Sequence, residues 1–210
     1  MQAAAQFIVE PVGLVVETLP RPLVWETLFG NANPVELEIG MGKGTFLLGQ
    51  ATTRKDTNFF GLEWANWFYR YAADRMRRHD CLNARCARTD ANFFIREFVP
   101  DASISVLHVY FPDPWPKSKH NKRRMIQPSF VPVIHRILKP GGVVKVVTDH
   151  LGYWNENIEP TIKNSGLELI EYAKPDAAGA GEFVGTNFER KYIKEGRPFY
   201  AMAARKNHLA

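Results

Sequence analysis

Five acidic residues are spaced as though each closed a repeating unit: Glu38, Glu63, Asp90, Asp113 and Asp149. The first three gaps are 25, 27 and 23 residues, each the length of a strand, a helix and their turns. Carboxylates gathered at one end of a sheet would line a crevice that attracts cations and accepts hydrogen bonds. Beside the first acid lies "ELEIGMGKGTF", in which Gly40, Gly42 and Gly44 let the backbone turn tightly and approach a ligand closely. A helix opening after this loop offers its first amides to an anionic group. A dinucleotide would bring a pyrophosphate here, and Glu38 would repel it. A ligand with ammonium and sulfonium charges and a single carboxylate suits the same surroundings. S-adenosyl-L-methionine has that pattern. Glu63 is then suited to grip ribose hydroxyls, and Asp90 in "TDANFF", with Ala91 beside it, to accept from the adenine amino group.

A second stretch, "FPDPWPKSKHNKRR", sets Asp113 and Trp115 among prolines 112, 114 and 116 and then places five Lys or Arg among its last eight residues. The prolines hold the acid-bearing edge at low entropic cost. The cationic run suits phosphate contacts, which position a nucleic acid without reading its sequence. Near the carboxyl end, "TNFERKYIKEGRPFY" mixes polar and basic side chains with aromatics. Taken alone, it reads as a hairpin-like edge joining the last two strands.

The elements that must position these residues follow from hydrophobic patterning. Strands are predicted at Val35–Ile39, Asn58–Leu62, Ala84–Thr89, Ile104–Phe111, Val143–Thr148, Leu167–Ala173 and Phe199–Ala204. Helices are predicted at Leu23–Phe29, Thr45–Thr52, Trp67–Arg78, Ala91–Phe98, Phe130–Lys139 and Tyr153–Asn164, with "KPGG" at Lys139–Gly142 stopping one helix before the next strand. This alternation predicts an α/β fold: a doubly wound, mostly parallel Rossmann-like sheet of about seven strands, with helices on both faces and chemistry at the carboxyl strand ends. Residues 1–34 read as an N-terminal extension and 35–210 as a single domain. "AAGAG" at Ala177–Gly181 reads as a flexible loop.

Composition agrees with a globular chain: 210 residues, 45% hydrophobic and 23% charged. A net charge of +5 favours a polyanionic partner. No run approaches the roughly 18 apolar residues of a membrane span, and the start lacks the basic leader of a signal peptide. Cys81 and Cys86 fit neither a redox pair nor a zinc site, and the six histidines are scattered. The expectation is a cytoplasmic protein with reduced thiols and no metal.

In order and spacing, "EIGMGKG", "GLE", "TDA", "FPDPWPKSKHNKRR", "VTD" and "TNFERK" resemble the bacterial tRNA (guanine-7-)-methyltransferases, a class I S-adenosylmethionine-dependent group. The resemblance covers about Val35 to Ala204, and the proline-flanked Asp and Trp leading into the basic run is its most specific part. It implies that Glu38, Glu63, Asp90 and Asp113 bind the cofactor and that Asp113 is also catalytic. It further implies that Lys117, Asp149, Thr186, Asn187, Phe188 and Glu189 meet the substrate, and that Lys119, His120, Asn121, Lys122, Arg123 and Arg124 contact RNA. With it, Thr186 and Glu189 are expected to hydrogen-bond a flipped guanine. The implied partner is tRNA, with no obligate protein partner. "EWANWFYRYAADR", after Glu63, is more aromatic than the family pattern leads one to expect. An enzyme acting on an exocyclic amine is a competing reading, because "DPW" partly matches the (D/N)-P-P-(Y/F/W) loop but lacks its second proline. A non-catalytic RNA-binding module of the same fold is another.

Overall fold

The computed structural model describes residues 7–116, 118–175 and 178–207. In chain order the elements are β1 (Gly13–Leu14), α1 (Trp25–Phe29), β2 (Val35–Ile39), α2 (Thr45–Thr53), β3 (Asn58–Glu63), α3 (Asn66–Arg78), β4 (Ala84–Arg88), α4 (Ala91–Phe98) and β5 (Ile104–Tyr110). After a 3-10 turn at Ser118–Arg123 come α5 (Val131–Ile137), β6 (Leu138–Thr148), α6 (Leu151–Tyr153), α7 (Glu159–Lys163), β7 (Glu168–Ile170), α8 (Asn187–Lys194) and β8 (Tyr200–Arg205). A π-helical stretch, Trp154–Ile158, joins α6 to α7.

The strands form one sheet in the order β1-β4-β3-β2-β5-β6-β8-β7. All neighbours are parallel except the pairs made by β8, which runs antiparallel to β6 and β7. From β2 the chain moves outward through β3 and β4, then crosses back to lay β5 on the other side of β2. The switch point of this doubly wound sheet therefore lies between the carboxyl ends of β2 and β5, where such folds bind ligands.

Alternation along the strands divides the core in two. On one face Leu37, Phe60, Leu107 and Val146 pack with α1, α4, α5 and the α6–α7 segment. On the other, Phe59, Cys86, Tyr110 and Val147 meet Phe46, Leu47, Ala72 and Met76 of α2 and α3. Glu36 and Glu38 share this second face of β2, and both are buried.

The predicted elements are present, most within one or two residues, with three differences. First, among the described residues the sheet has eight strands; the additional one, β1, pairs with β4, and Leu23, Trp25 and Phe29 enter the core, so this part of the extension packs into the sheet domain. Second, "KPGG" does not end the helix, which stops at Ile137. The segment instead lies inside β6, where pairing with β5 jumps from Ile104↔Leu138 to Val106↔Val143. Gly142 is required there, because a Cβ would fall 2.8 Å from the Lys139 carbonyl oxygen and 2.9 Å from that of Ile104. Third, Asn187–Lys194 is a helix. Its sequence signal is the capping spacing T-x-x-E: the Thr186 hydroxyl accepts from the Glu189 amide at 3.1 Å. Among the described residues no helix is long and apolar enough to cross a membrane, and no group of three or more His, Cys, Asp or Glu is arranged to hold a metal.

Candidate active site

Because β4, β3, β2, β5 and β6 are neighbours, their strand-end acids line one rim in the order Asp90, Glu63, Glu38, Asp113, Asp149. Two cavities open beneath it. The smaller, about 250 Å³, is lined by Glu38, Lys43, Thr45 and Phe46 among others. The larger, about 540 Å³, contains Glu63, Asp90, Ala91, Asp113, Trp115 and Arg123. Gly40, Phe68, Tyr110, Phe111 and Phe188 line both, so the junction between the cavities is walled almost entirely by aromatic rings.

Glu38 is 2% exposed, and one of its carboxyl oxygens has no hydrogen-bond partner among the described residues. Burial, reinforced by the nearby Glu63 charge, pushes its pKa up to about 8. A buried acceptor left unpaired is costly, and a cation entering the smaller cavity would satisfy it. Glu36 lies two residues earlier on the same strand face and behaves oppositely. It accepts from the Arg54 guanidinium at 2.7 Å and from His108 Nε2 at 2.8 Å. Burial alone would raise its pKa, but these partners prevail and hold it at about 2. Burial keeps His108 neutral. With Nε2–H given to Glu36, Nδ1 accepts from the Tyr110 hydroxyl at 2.7 Å, which fixes the Tyr110 ring at the junction.

Glu63 braces the glycine loop, its two oxygens accepting from the amides of Gly42 at 2.9 Å and Ala65 at 2.8 Å. Gly40 has a φ of +75°, and a Cβ there would meet nothing within 4 Å, so its backbone is open to a ligand. Gly44 is needed for packing as well, since a Cβ would lie 2.9 Å from that of Ala72 on α3. Asp90, which lines the larger cavity, caps α4 by accepting from the Phe93 amide at 2.8 Å through one carboxyl oxygen. Thr45, at the start of α2, accepts from Arg75 and from Asn187, each at 3.0 Å. This joins the glycine loop to α8.

Asp113 is exposed on the larger cavity and makes no hydrogen bond or ion pair among the described residues. Its loop is strained: Phe111 and Trp115 have φ of +50° and +42°, a region uncommon for residues with a side chain and costly for bulky ones. Arg124 holds this conformation. Although expected to contact RNA, it is 3% exposed. Its Nε donates to the Pro114 carbonyl at 2.8 Å, and Nη1 donates to Glu156 at 2.7 Å and to Asn157. Both latter partners belong to the π-helical stretch, while the guanidinium lies 5.0 Å from the centre of the Tyr153 ring. Arg124 is thus a clamp on the Asp113 loop, enclosed by its partners and closed to RNA.

The rest of the basic arm is more open. Lys119, Lys122 and Arg123 are exposed and His120 and Asn121 half-buried; Arg123 stacks 5.0 Å above Trp115, with His120 on the same indole. Lys117 lies outside the described residues. Asp149 is paired with Arg197 at 2.8 Å, and that guanidinium covers Tyr192 at 4.2 Å. Glu189 does not meet the expectation that it bonds a guanine. It is fully buried, and its carboxylate accepts from the amides of Phe183, Val184 and Gly185, closing the loop before α8. Thr186 is the cap of α8 and, with Asn187 and Phe188, also lines the smaller cavity; the Phe188 ring covers Gly42. The sequence reading missed Phe68, Tyr110 and Lys43, whose types at those positions are equally compatible with core or surface.

The orphaned Glu38 oxygen, the open Gly40 backbone and, on the larger cavity, Glu63 and Asp90 fit S-adenosyl-L-methionine: a cationic amino-acid end against Glu38, ribose and adenine toward Glu63 and Asp90. The sheet is that of the class I methyltransferases. It superposes on the 16S rRNA methyltransferase KamB with a TM-score of 0.59 over 87% of this chain and 92% of that one, at 15% identity. A family model described as "Putative methyltransferase" matches residues 32–202. The tRNA (guanine-N(7)-)-methyltransferase of Myxococcus xanthus is 34% identical, covering 91% of this chain and 92% of its own. That of Cupriavidus necator is also 34% identical, covering 96% of this chain and 78% of its own. This chain belongs to the tRNA (guanine-N(7)-)-methyltransferase family.

Proposed function

We infer that the chain transfers the methyl group of S-adenosyl-L-methionine to the 7-nitrogen of a guanine in tRNA. The observation that carries this reading is the pair of cavities: one ends at an unpaired buried carboxyl, the other at an exposed aspartate, and they meet at an aromatic junction. The cofactor supplies an electrophilic methyl group. Glu38 holds its cationic amino-acid end, Thr45 and the α2 amides its carboxylate, Glu63 its ribose and Asp90 with Ala91 its adenine.

The 7-nitrogen of guanine carries a free in-plane lone pair at neutral pH, so no proton has to be removed before attack. Alignment and electrostatic support therefore supply the rate. Asp113, on its clamped loop, orients the guanine edge and offsets the positive charge that develops on the purine. Asp149, Thr186, Asn187 and Phe188 form the opposite wall, and entry of the base frees Asp149 from Arg197. Lys117, Lys119, Lys122 and Arg123 meet phosphates, with His120 and Asn121 lining their base. Residues 35–210, with residues 13–29 packed into their sheet and core, act as one catalytic domain in the cytoplasm, without a metal or an obligate protein partner. Incubation with labelled S-adenosylmethionine and unmodified tRNA, followed by nucleoside analysis, should yield 7-methylguanosine. Borohydride and aniline should cleave the product at the modified nucleotide. A methylated exocyclic amine, or no transfer, would overturn the reading.

A further inference from the structure

The aromatic run after Glu63 contains a residue that the methyl-transfer site does not use. Trp67, in the first turn of α3, is 52% exposed and lines neither cavity. It is nevertheless held firmly. Tyr71, one turn along, stacks on it at 5.1 Å and 12°. Phe7 stands edge-on to both rings at 5.9 Å. Phe68, the next residue, meets it edge-on at 5.4 Å and reaches the cavity junction. The Lys43 ammonium lies 6.0 Å from the centre of the indole, lines the smaller cavity and makes no ion pair among the described residues. Arg70, on the next turn, is exposed as well.

An exposed, braced indole beside cations, joined through Phe68 to the cavity junction, matches the chemistry of a single-stranded nucleic acid. Each base offers a π-face, and each phosphate a counter-charge. A guanine that enters the cavity must leave its stack, and its neighbour loses a stacking partner. We propose that Trp67 is the stacking platform for the nucleotide flanking the guanine to be methylated, with Lys43 and Arg70 meeting the adjoining phosphates. This rests on the reading of the chain as a tRNA methyltransferase. Occupation of the same face by a second copy of the chain is the rival outcome, and the cations beside the ring disfavour it.

The test compares wild type, Trp67→Ala and Trp67→Phe. It measures tRNA affinity by fluorescence anisotropy across a salt series, S-adenosylmethionine affinity by calorimetry, and molecular mass by light scattering. Trp67→Ala should weaken tRNA binding roughly tenfold, as expected for one lost base stack. The slope of log affinity against log salt should stay unchanged, because no charge is removed. Trp67→Phe keeps a π-face and should stay within about threefold of wild type. Cofactor affinity should not move in either variant, which also shows that both are folded. Unchanged tRNA affinity in Trp67→Ala, or a wild-type dimer that this variant dissociates, would overturn the platform. Wild-type protein that methylates no tRNA would instead overturn the functional assignment on which the platform rests.

Discussion

If Glu38 receives the cationic end of the cofactor, binding must ionise a carboxyl that is mostly protonated in the free protein. With a pKa of about 8, roughly one molecule in ten carries the carboxylate at pH 7, and roughly one in a hundred at pH 6. A ligand that needs the carboxylate then binds about 11-fold more weakly at pH 7 than in the alkaline limit, a cost of about 1.4 kcal/mol, and about 100-fold more weakly at pH 6. About 0.9 proton should be released per cofactor bound at pH 7. Calorimetry in two buffers of different ionisation enthalpy measures that proton directly. The cofactor's own ammonium titrates equally whichever protein it meets, so the difference between wild type and Glu38→Gln isolates the side chain. The variant should bind weakly and release no proton from this site. Stability moves the other way. A carboxyl whose pKa is raised on folding leaves stability intact below about 4.5 and reduces it as pH rises through about 8. Glu38→Gln should therefore stabilise the cofactor-free protein at pH 9, by an upper bound of about 5 kcal/mol. Proton release that persists in Glu38→Gln, or cofactor affinity in wild type that is flat between pH 6 and pH 9, would refute the reasoning.

Four further substitutions separate chemistry from scaffolding. Asp113→Ala should collapse turnover while tRNA affinity stays within a few fold; unchanged turnover in a steady-state assay would remove the catalytic role. Arg123→Ala should lower the salt slope of tRNA binding by roughly one unit or less. Arg124→Ala should leave that slope alone, but lower stability by about 2–4 kcal/mol as its charge-assisted hydrogen bonds are lost, and reduce kcat more than it raises KM for tRNA. Glu36→Gln should destabilise the fold by about 3 kcal/mol at pH 7, measured by urea unfolding. Because the Glu36 pKa is depressed by folding, that difference should shrink as pH falls from about 4.5 toward about 2.

What the sequence conveyed, and what it did not, follows from how far each signal reaches along the chain. Strands β2 to β6 and their closing acids are legible because each depends on a local run of apolar residues followed by a polar break. Helix α8 is hidden because its face toward the body is not apolar: its buried residue is Glu189, whose carboxylate serves the backbone of the preceding loop. Arg123 and Arg124 are chemically identical neighbours. Only a π-helical stretch more than thirty residues away decides that one is enclosed and the other open. Tyr110 and Phe68 look like ordinary core residues in any local window. Their place at the cavity junction requires β5 to lie against β2, a pairing across about 70 residues that no local pattern encodes.

Glu36 and Glu38 show why an acid's surroundings, more than its presence, carry functional information. They share one strand, one face and nearly the same burial. Around Glu36 the fold supplies a guanidinium, an imidazole and, through the imidazole, a tyrosine hydroxyl, so its charge is fully answered from within the protein. Around Glu38 it supplies the charge of Glu63 and a cavity. A chain gains nothing in stability from leaving a buried carboxyl in that state, and a neutral isostere would cost less. The arrangement is accounted for only if a cation completes it from outside. The same strand thus separates a carboxylate that holds the sheet and its junction tyrosine in place from one kept for a ligand, and the two substitutions proposed above should shift stability in opposite directions.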